Sequence, residues 1–191
     1  ISCYKKAIEF DPKCVWAYTS LAYALRAQNK LEEAIVWYKK AVENNPKDPL
    51  VHYNLGRALH DLKKLDEAIL CYKKAIEINP RFVWPYLSLG NILRAQDKVD
   101  EAIAWHMKAV ENNPKDPLAH YNLGRALHDQ KKLDGAIACY KKAIDIQPRD
   151  ASAHYDLGRA LQDQKKLDEA IVCFKKAVEI YPQFANAHRS L

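Results

Sequence analysis

Seven histidines, five cysteines and many carboxylates are the side chains through which this chain could do acid–base, thiol or metal chemistry. His52, His120, His154 and His188 recur at one spacing, and His60 and His128 at another. No two histidines stand four residues apart, the spacing that puts two imidazoles on one helix face for zinc. They read as packing histidines that find a hydrogen-bond partner. Cys3, Cys71, Cys139 and Cys173 recur in the same way, with Cys14 outside the series, and no CxxC occurs. A disulfide needs Cα atoms within about 7 Å, which stacked units would not give to neighbouring copies of one position. Reduced thiols in a cytoplasmic or nuclear compartment are the expectation. There is no GxSxG, no phosphate loop and no zinc spacing, and the paired carboxylates sit where helix solvation explains them. No catalytic residue, metal or cofactor is assigned, and the chain is not read as an enzyme.

What positions these residues is repetition. Val15 to Asp48 and Val83 to Asp116 are close copies. Pro49 to Phe82 is a more distant one, Pro117 to Asp150 is nearly its twin, and a fifth copy runs from Ala151 to Phe184. A fixed period of about 34 residues marks an array of stacked units. The array covers 1–191: full repeats at 15–48, 49–82, 83–116, 117–150 and 151–184, the second half of a repeat at 1–14, and the start of one at 185–191. The first residue is Ile, inside the pattern, so the chain reads as a piece of a longer protein. No apolar run approaches the roughly 18 residues of a membrane span. The net charge of +6 is spread over lysine pairs (Lys39-Lys40, Lys73-Lys74, Lys141-Lys142, Lys175-Lys176) on the outer face of second helices, and does not by itself indicate nucleic acid.

One repeat can be read physically. Asp48 before Pro49 is a carboxylate N-cap followed by Pro at the first helical position. Leu55, Ala58, Leu59 and Leu62 follow at helical spacing. Lys63 and Lys64 form the turn, and Asp66 is expected to cap a second helix whose stripe is Ala68, Ile69, Tyr72, Ala75 and Ile76. Asn79-Pro80 ends it. Small residues recur at fixed phases: Gly56, Gly90, Gly124 and Gly158 with Ala22; Ala34, Ala68, Ala102, Ala136 and Ala170; Ala41, Ala75, Ala109, Ala143 and Ala177. Glycine inside a helix costs about 0.5–1 kcal/mol against alanine, so its recurrence points to a neighbour that leaves no room for a larger side chain. Tyr38, Tyr72, Tyr140 and Phe174 fill a large-residue phase, where the third repeat has His106.

Leu55-Gly56, Leu59, Ala68, Tyr72, Ala75 and Pro80, with their equivalents in each unit, resemble the tetratricopeptide repeat. Ala22 for glycine and His106 for an aromatic are the departures. The resemblance implies an all-α, right-handed superhelical solenoid of antiparallel helix pairs, with a concave groove lined by first helices. It also implies protein–protein recognition, of an extended peptide or a partner helix.

On that geometry the groove receives Trp16, Tyr23, Tyr53, Trp84, Tyr121 and Tyr155, which either anchor a ligand or pack between helices as wall. Tyr53, Tyr121 and Tyr155 recur at one phase beside the core phase, which favours the anchor reading. Arg57, Arg125 and Arg159 share a phase, with Arg26 and Arg94 one turn further along, and could grip carboxylates or phosphates. Each of the three also has an aspartate four residues later (Asp61, Asp129, Asp163), so intrahelical salt bridges are expected to neutralise the ladder in large part. Asn54, Asn122 and Asp156 share another phase with Ser20 and Ser88. This resembles the groove asparagines of O-linked N-acetylglucosamine transferases, broken here by Ser and Asp. Asn91 and Asn122 could serve a chaperone-type carboxylate clamp, but Ser152 and Asp156 stand where it needs cations.

The function expected is therefore a scaffold binding a protein or peptide in its groove. The alternatives are the substrate-recognition arm of a larger intracellular enzyme, such as a glycosyltransferase, or a nucleic-acid-binding solenoid, which the charge pattern does not favour. No membrane partner is expected. The repeats also alternate as a duplicated two-unit block, which suits a periodic or extended ligand. The two ends are complementary halves, which suggests head-to-tail self-association.

Overall fold

The computed structural model describes residues 1–191 as twelve α-helices and no strand. They are α1 (Ser2–Phe10), α2 (Val15–Ala27), α3 (Leu31–Asn44), α4 (Pro49–Asp61), α5 (Leu65–Ile78), α6 (Val83–Ala95), α7 (Val99–Asn112), α8 (Pro117–Asp129), α9 (Leu133–Ile146), α10 (Ala151–Asp163), α11 (Leu167–Ile180) and α12 (Ala185–Arg189). No helix is long and apolar enough to cross a membrane.

The starts of α4, α8 and α10 follow the expected chemistry. Asp48 accepts from the Leu50 N–H at 2.8 Å, Asp116 from Leu118 and Ala119, and Asp150 from Ser152 and Ala153. Each thereby satisfies amides that a helix start leaves open. α5 differs from expectation. It begins at Leu65, with Lys64 at the cap position and no side-chain cap, so Asp66 and Glu67 lie inside the first turn. There they complement the positive end of the helix dipole. The turn itself does the capping. Lys63 adopts φ 63°, and the amides of Lys63 and Lys64 return to the carbonyls of His60 and Leu59, both at 2.9 Å. This left-handed closure satisfies the last carbonyls of α4. Asn29, Asp97, Lys131 and Lys165 repeat it at φ 59–64°.

The chain forms two compact units, Ile1–Leu89 and Gly90–Leu191. In the first, α1 packs on α2, α2 on α3, α3 on α4 and α4 on α5. In the second, α7 packs on α8, α8 on α9, α9 on α10, α10 on α11 and α11 on α12. The core follows the small-residue phases: all ten alanines of the second-helix series are buried, and Tyr38, Tyr72, Tyr140 and Phe174 are each about 1% exposed. A Cβ placed on Gly56 would lie 2.7 Å from the Tyr72 ring, and one on Gly124 would lie 2.8 Å from Tyr140. The glycine is thus required by the aromatic of its own repeat's second helix.

The loops entering first helices share one tie. Tyr18 Oη donates to the Pro12 carbonyl at 2.9 Å. His52, His120, His154 and His188 reach Pro46, Pro114, Pro148 and Pro182 through Nε2 at 2.8–3.0 Å. A carbonyl only accepts, so Nε2 carries the hydrogen in each. His52 and His120 are buried as packing histidines, whereas His154 is half-buried and His188 exposed, and these two share only the hydrogen bond.

Candidate interaction surface

In the first unit, α2 places Trp16, Thr19, Ser20 and Tyr23 at helical spacing, so they share one face. Ala17, Leu21 and Leu25 bury the opposite side. Trp16 is 64% exposed and Tyr23 61%. Tyr4 of α1 meets the Trp16 ring edge-on, with centroids 5.8 Å apart. Tyr4, Ser20, Tyr23, Tyr38 and Asn54 line a recess of about 440 Å³. Two solvated aromatics beside a partly apolar recess can take up an apolar side chain, and Asn54 can hydrogen-bond a passing peptide backbone. The sequence places Tyr4 in phase within the N-terminal half repeat and not in the groove; its place opposite Trp16 depends on how α1 packs on α2.

Tyr53 of α4 is half-buried. Its ring lies 5.7 Å from Tyr72 and 5.2 Å, edge-on, from Phe82. Tyr155 makes the same contacts in the second unit, with Phe174 at 5.7 Å and Phe184 at 5.0 Å. Tyr121 lies 6.0 Å from Tyr140, and its hydroxyl donates to Asp156 Oδ2 at 2.8 Å. Burial, then the Asp156 charge, hold the Tyr121 hydroxyl above its usual range. These three tyrosines combine wall packing with a partly open edge, whereas Trp16, Tyr23 and Trp84 (48% exposed) stand out from the surface.

The arginines pair differently from expectation. Asp61 takes Arg26 Nε at 2.5 Å, Asp129 takes Arg94 at 3.0 Å, and Asp163 takes His128 Nε2 at 2.9 Å. Each partner comes from 35 residues earlier in the chain. The intrahelical pairs with Arg57, Arg125 and Arg159 do not form. The reason is directional. Helical side chains lean toward the N-terminus, so Arg57 lies over the Tyr53 ring at 5.8 Å and Arg125 over Tyr121 at 5.7 Å, away from the aspartates that follow them. Arg159 faces Asp156 at 3.7 Å. Arg57 and Arg125 therefore keep their charge free of any carboxylate.

The second unit gathers these groups. Arg94, Arg125 and Arg159 line a recess of about 250 Å³ with Tyr121, Asp129 and Asp156. In the same unit His106 is fully buried, and neither ring nitrogen has a partner. Burial first, then the charges of Arg94 and Arg125, push its pKa down to about 4. Asn91 and Asn122, the groove asparagines expected in this unit, are both drawn inward at their side-chain polar atoms. Asn122 is buried and donates to Leu118 O of its own helix at 2.8 Å, and the Asn91 side-chain oxygen is buried without a partner. All five thiols are free; burial pushes Cys71 up to about 11 and raises Cys139 and Cys173, which keeps these thiols protonated and weakly nucleophilic.

A TPR repeat model matches residues 22–62, 90–131 and 124–165. Two tetratricopeptide repeat models match 49–82 and 151–184, and 3–36 and 71–104. No curated protein sequence matches the chain. Among solved structures it is similar to YrrB, described as a TPR protein with an unusual peptide-binding site, at 25% identity over 98% of this chain and 96% of that one, with a TM-score of 0.71. It is similar to MamA at 27% identity over 90% of this chain and 94% of that one, with a TM-score of 0.73. The likeness to pilF of Pseudomonas aeruginosa, at 20% identity over 91% and 79% with a TM-score of 0.79, concerns the fold alone. With its helix pairs, its glycine-against-aromatic packing and family matches spread along its length, the chain belongs to the tetratricopeptide repeat family.

Proposed function

We propose that this chain is a protein-interaction scaffold that takes an extended peptide, or one side of a partner helix, across the exposed faces of its first helices. The observation that carries the reading is the Trp16–Tyr23 face of α2. Large aromatics are enriched at binding hot spots, and a folded domain gains nothing from leaving two of them more than half in water beside a recess. The peptide-binding site that names the YrrB structure supports the same reading. Asn54, Tyr53 and Arg57 of α4 would extend the contact in the first unit. Trp84, Asn91, Tyr121, Asn122, Arg125, Tyr155 and Arg159 belong to the same first-helix series.

Selection of a displayed random-peptide library against the whole chain tests the proposal. Enriched peptides should lose about tenfold or more in affinity against a Trp16→Ala/Tyr23→Ala variant, the scale of a 1.4 kcal/mol hot-spot loss. A library that yields no enriched sequence, or binders indifferent to both substitutions, would overturn it.

A further inference from the structure

One recess of the second unit is built mainly from second helices. Ile144 of α9, Leu157 of α10, and Val172 and Cys173 of α11 give it an apolar lining around about 570 Å³, a volume in the range of small-molecule sites. Leu157 is buried, and Ile144 and Cys173 pack against the same core cluster. The first repeat shows what fills this place. Four repeats back, Cys173, Ile144, His154 and Lys176 correspond to Trp37, Ile8, Tyr18 and Lys40. Trp37 and Ile8 pack on the cluster of Tyr18, Ala41 and Val51, with the Trp37 ring 5.9 Å from the Tyr18 ring. The Lys40 ammonium lies over the Trp37 ring at 4.4 Å, and Lys108 lies over Trp105, the equivalent residue of the third repeat, at 4.5 Å. In the fifth repeat the Cys173 thiol stands where these indoles stand, so the space that an indole fills is left open.

We propose that this recess binds a small aromatic molecule, whose planar ring of indole size takes the place that Trp37 fills in the first repeat. The ring lies against Ile144, Leu157 and Val172, where its burial supplies most of the affinity. Lys176, held by Glu179 at 2.8 Å, stands in the position of Lys40 and can offer its ammonium to the ring face. Lys141, Lys175, Lys176, Asp145 and Glu179 edge the recess with charges of both signs. They favour a small ligand over a partner protein, whose interface core would strip them of water. A small molecule buries its ring and leaves them solvated. Such a site is separate from the first-helix faces and does not depend on peptide binding there.

Titration of the whole chain, followed by the methyl NMR signals of Ile144, Leu157 and Val172, tests this with four probes: indole, indole-3-acetate, octanoate and Ac-Gly-Trp-Gly-NH2. Indole and indole-3-acetate should move all three sets of signals saturably. Octanoate, a flexible chain with the same charge, should bind at least about fivefold more weakly than indole-3-acetate, because it has no ring face for the ammonium. The tripeptide should bind no more tightly than indole. Cys173→Trp, which supplies the ring from the chain itself, should abolish the response to indole without lowering the melting temperature. Val172→Glu, at a position 66% exposed and therefore safe for the fold, should weaken indole about fivefold by setting a carboxylate beside the ring. Methyl signals that indole leaves in place, or a response undiminished in both variants, would refute the proposal. So would octanoate binding as tightly as indole-3-acetate. A tripeptide that binds more tightly than indole would assign the recess to a protein side chain and likewise overturn it.

Discussion

The Tyr121 hydroxyl donates to the Asp156 carboxylate 35 residues later, at 2.8 Å, and so joins the first helices of two successive repeats. Asp156 is buried, so the bond is charge-assisted and screened from water. Tyr121→Phe leaves that carboxylate oxygen without its donor. Urea denaturation should show a loss of about 2 kcal/mol. A variant as stable as the parent would mean that Arg159 moves in to replace the phenol.

His106 should be replaceable at a gain. Its two unpartnered ring nitrogens are fully buried where the four other full repeats carry an aromatic ring. His106→Phe removes the unmet polar atoms and should raise stability by about 1–3 kcal/mol. A lower denaturation midpoint would show that the pocket is shaped for imidazole.

The same residue sets a pH dependence. Its folded-state pKa is about 4, against about 6.5 in an unfolded chain, so the folded protein binds fewer protons between those values. Stability is complete above about pH 6.5 and falls as pH drops toward 4, by about 3 kcal/mol in total from this group. In His106→Phe the acid limb should flatten over that window. Parallel limbs for the two proteins would contradict this.

Glycine-to-alanine changes should split by position. At Gly124 the new methyl would meet the Tyr140 ring at 2.8 Å. Overpacking of 1–3 kcal/mol should outweigh the roughly 1 kcal/mol gained in helix propensity, giving a net loss of about 1 kcal/mol. Gly135 stands where the other repeats have glutamate, and its nearest foreign atom is the end of the Leu127 side chain at 3.3 Å. Gly135→Ala should therefore stabilise by about 0.5–1 kcal/mol. Melting curves of the two variants must shift in opposite directions.

Lys63, Lys131 and Lys165 hold φ of 61–64°, the left-handed region that costs a residue with a Cβ about 1–2 kcal/mol. Substitution by glycine removes that strain, against a larger loss of chain freedom on folding. Each single Lys→Gly variant should melt higher, by about 0.5 kcal/mol at the midpoint. No change in any of the three would mean that the turn is held by its hydrogen bonds alone.

The helix pairs were legible because their signals are local or repeated in register. Asp48-Pro49 opens α4, Asn79-Pro80 closes α5, and Gly56 and Gly124 mark the close approach of a second-helix aromatic. The surface was less so. Asp61 stands four residues after Arg57, and that spacing suggests a salt bridge; the carboxylate instead turns to Arg26, because only the packing of α2 beside α4 sets which side chains meet. The recurrence was present in the letters: Arg26 with Asp61, Arg94 with Asp129 and His128 with Asp163 all stand 35 residues apart. It had no meaning until neighbouring helices had a register. Asp66 failed as a cap for a related reason, since the left-handed turn at Lys63 already closes the preceding helix and starts the next at Leu65.

A link to the proline carbonyl six residues back occurs at Tyr18, His52, His120, His154 and His188, so the position asks for a reaching N–H or O–H and not for an ionisable ring. The corner between repeats is thus fastened by reach and not by charge, so a tyrosine, as at Tyr18, should stand in for any of the four histidines and keep successive repeats clasped.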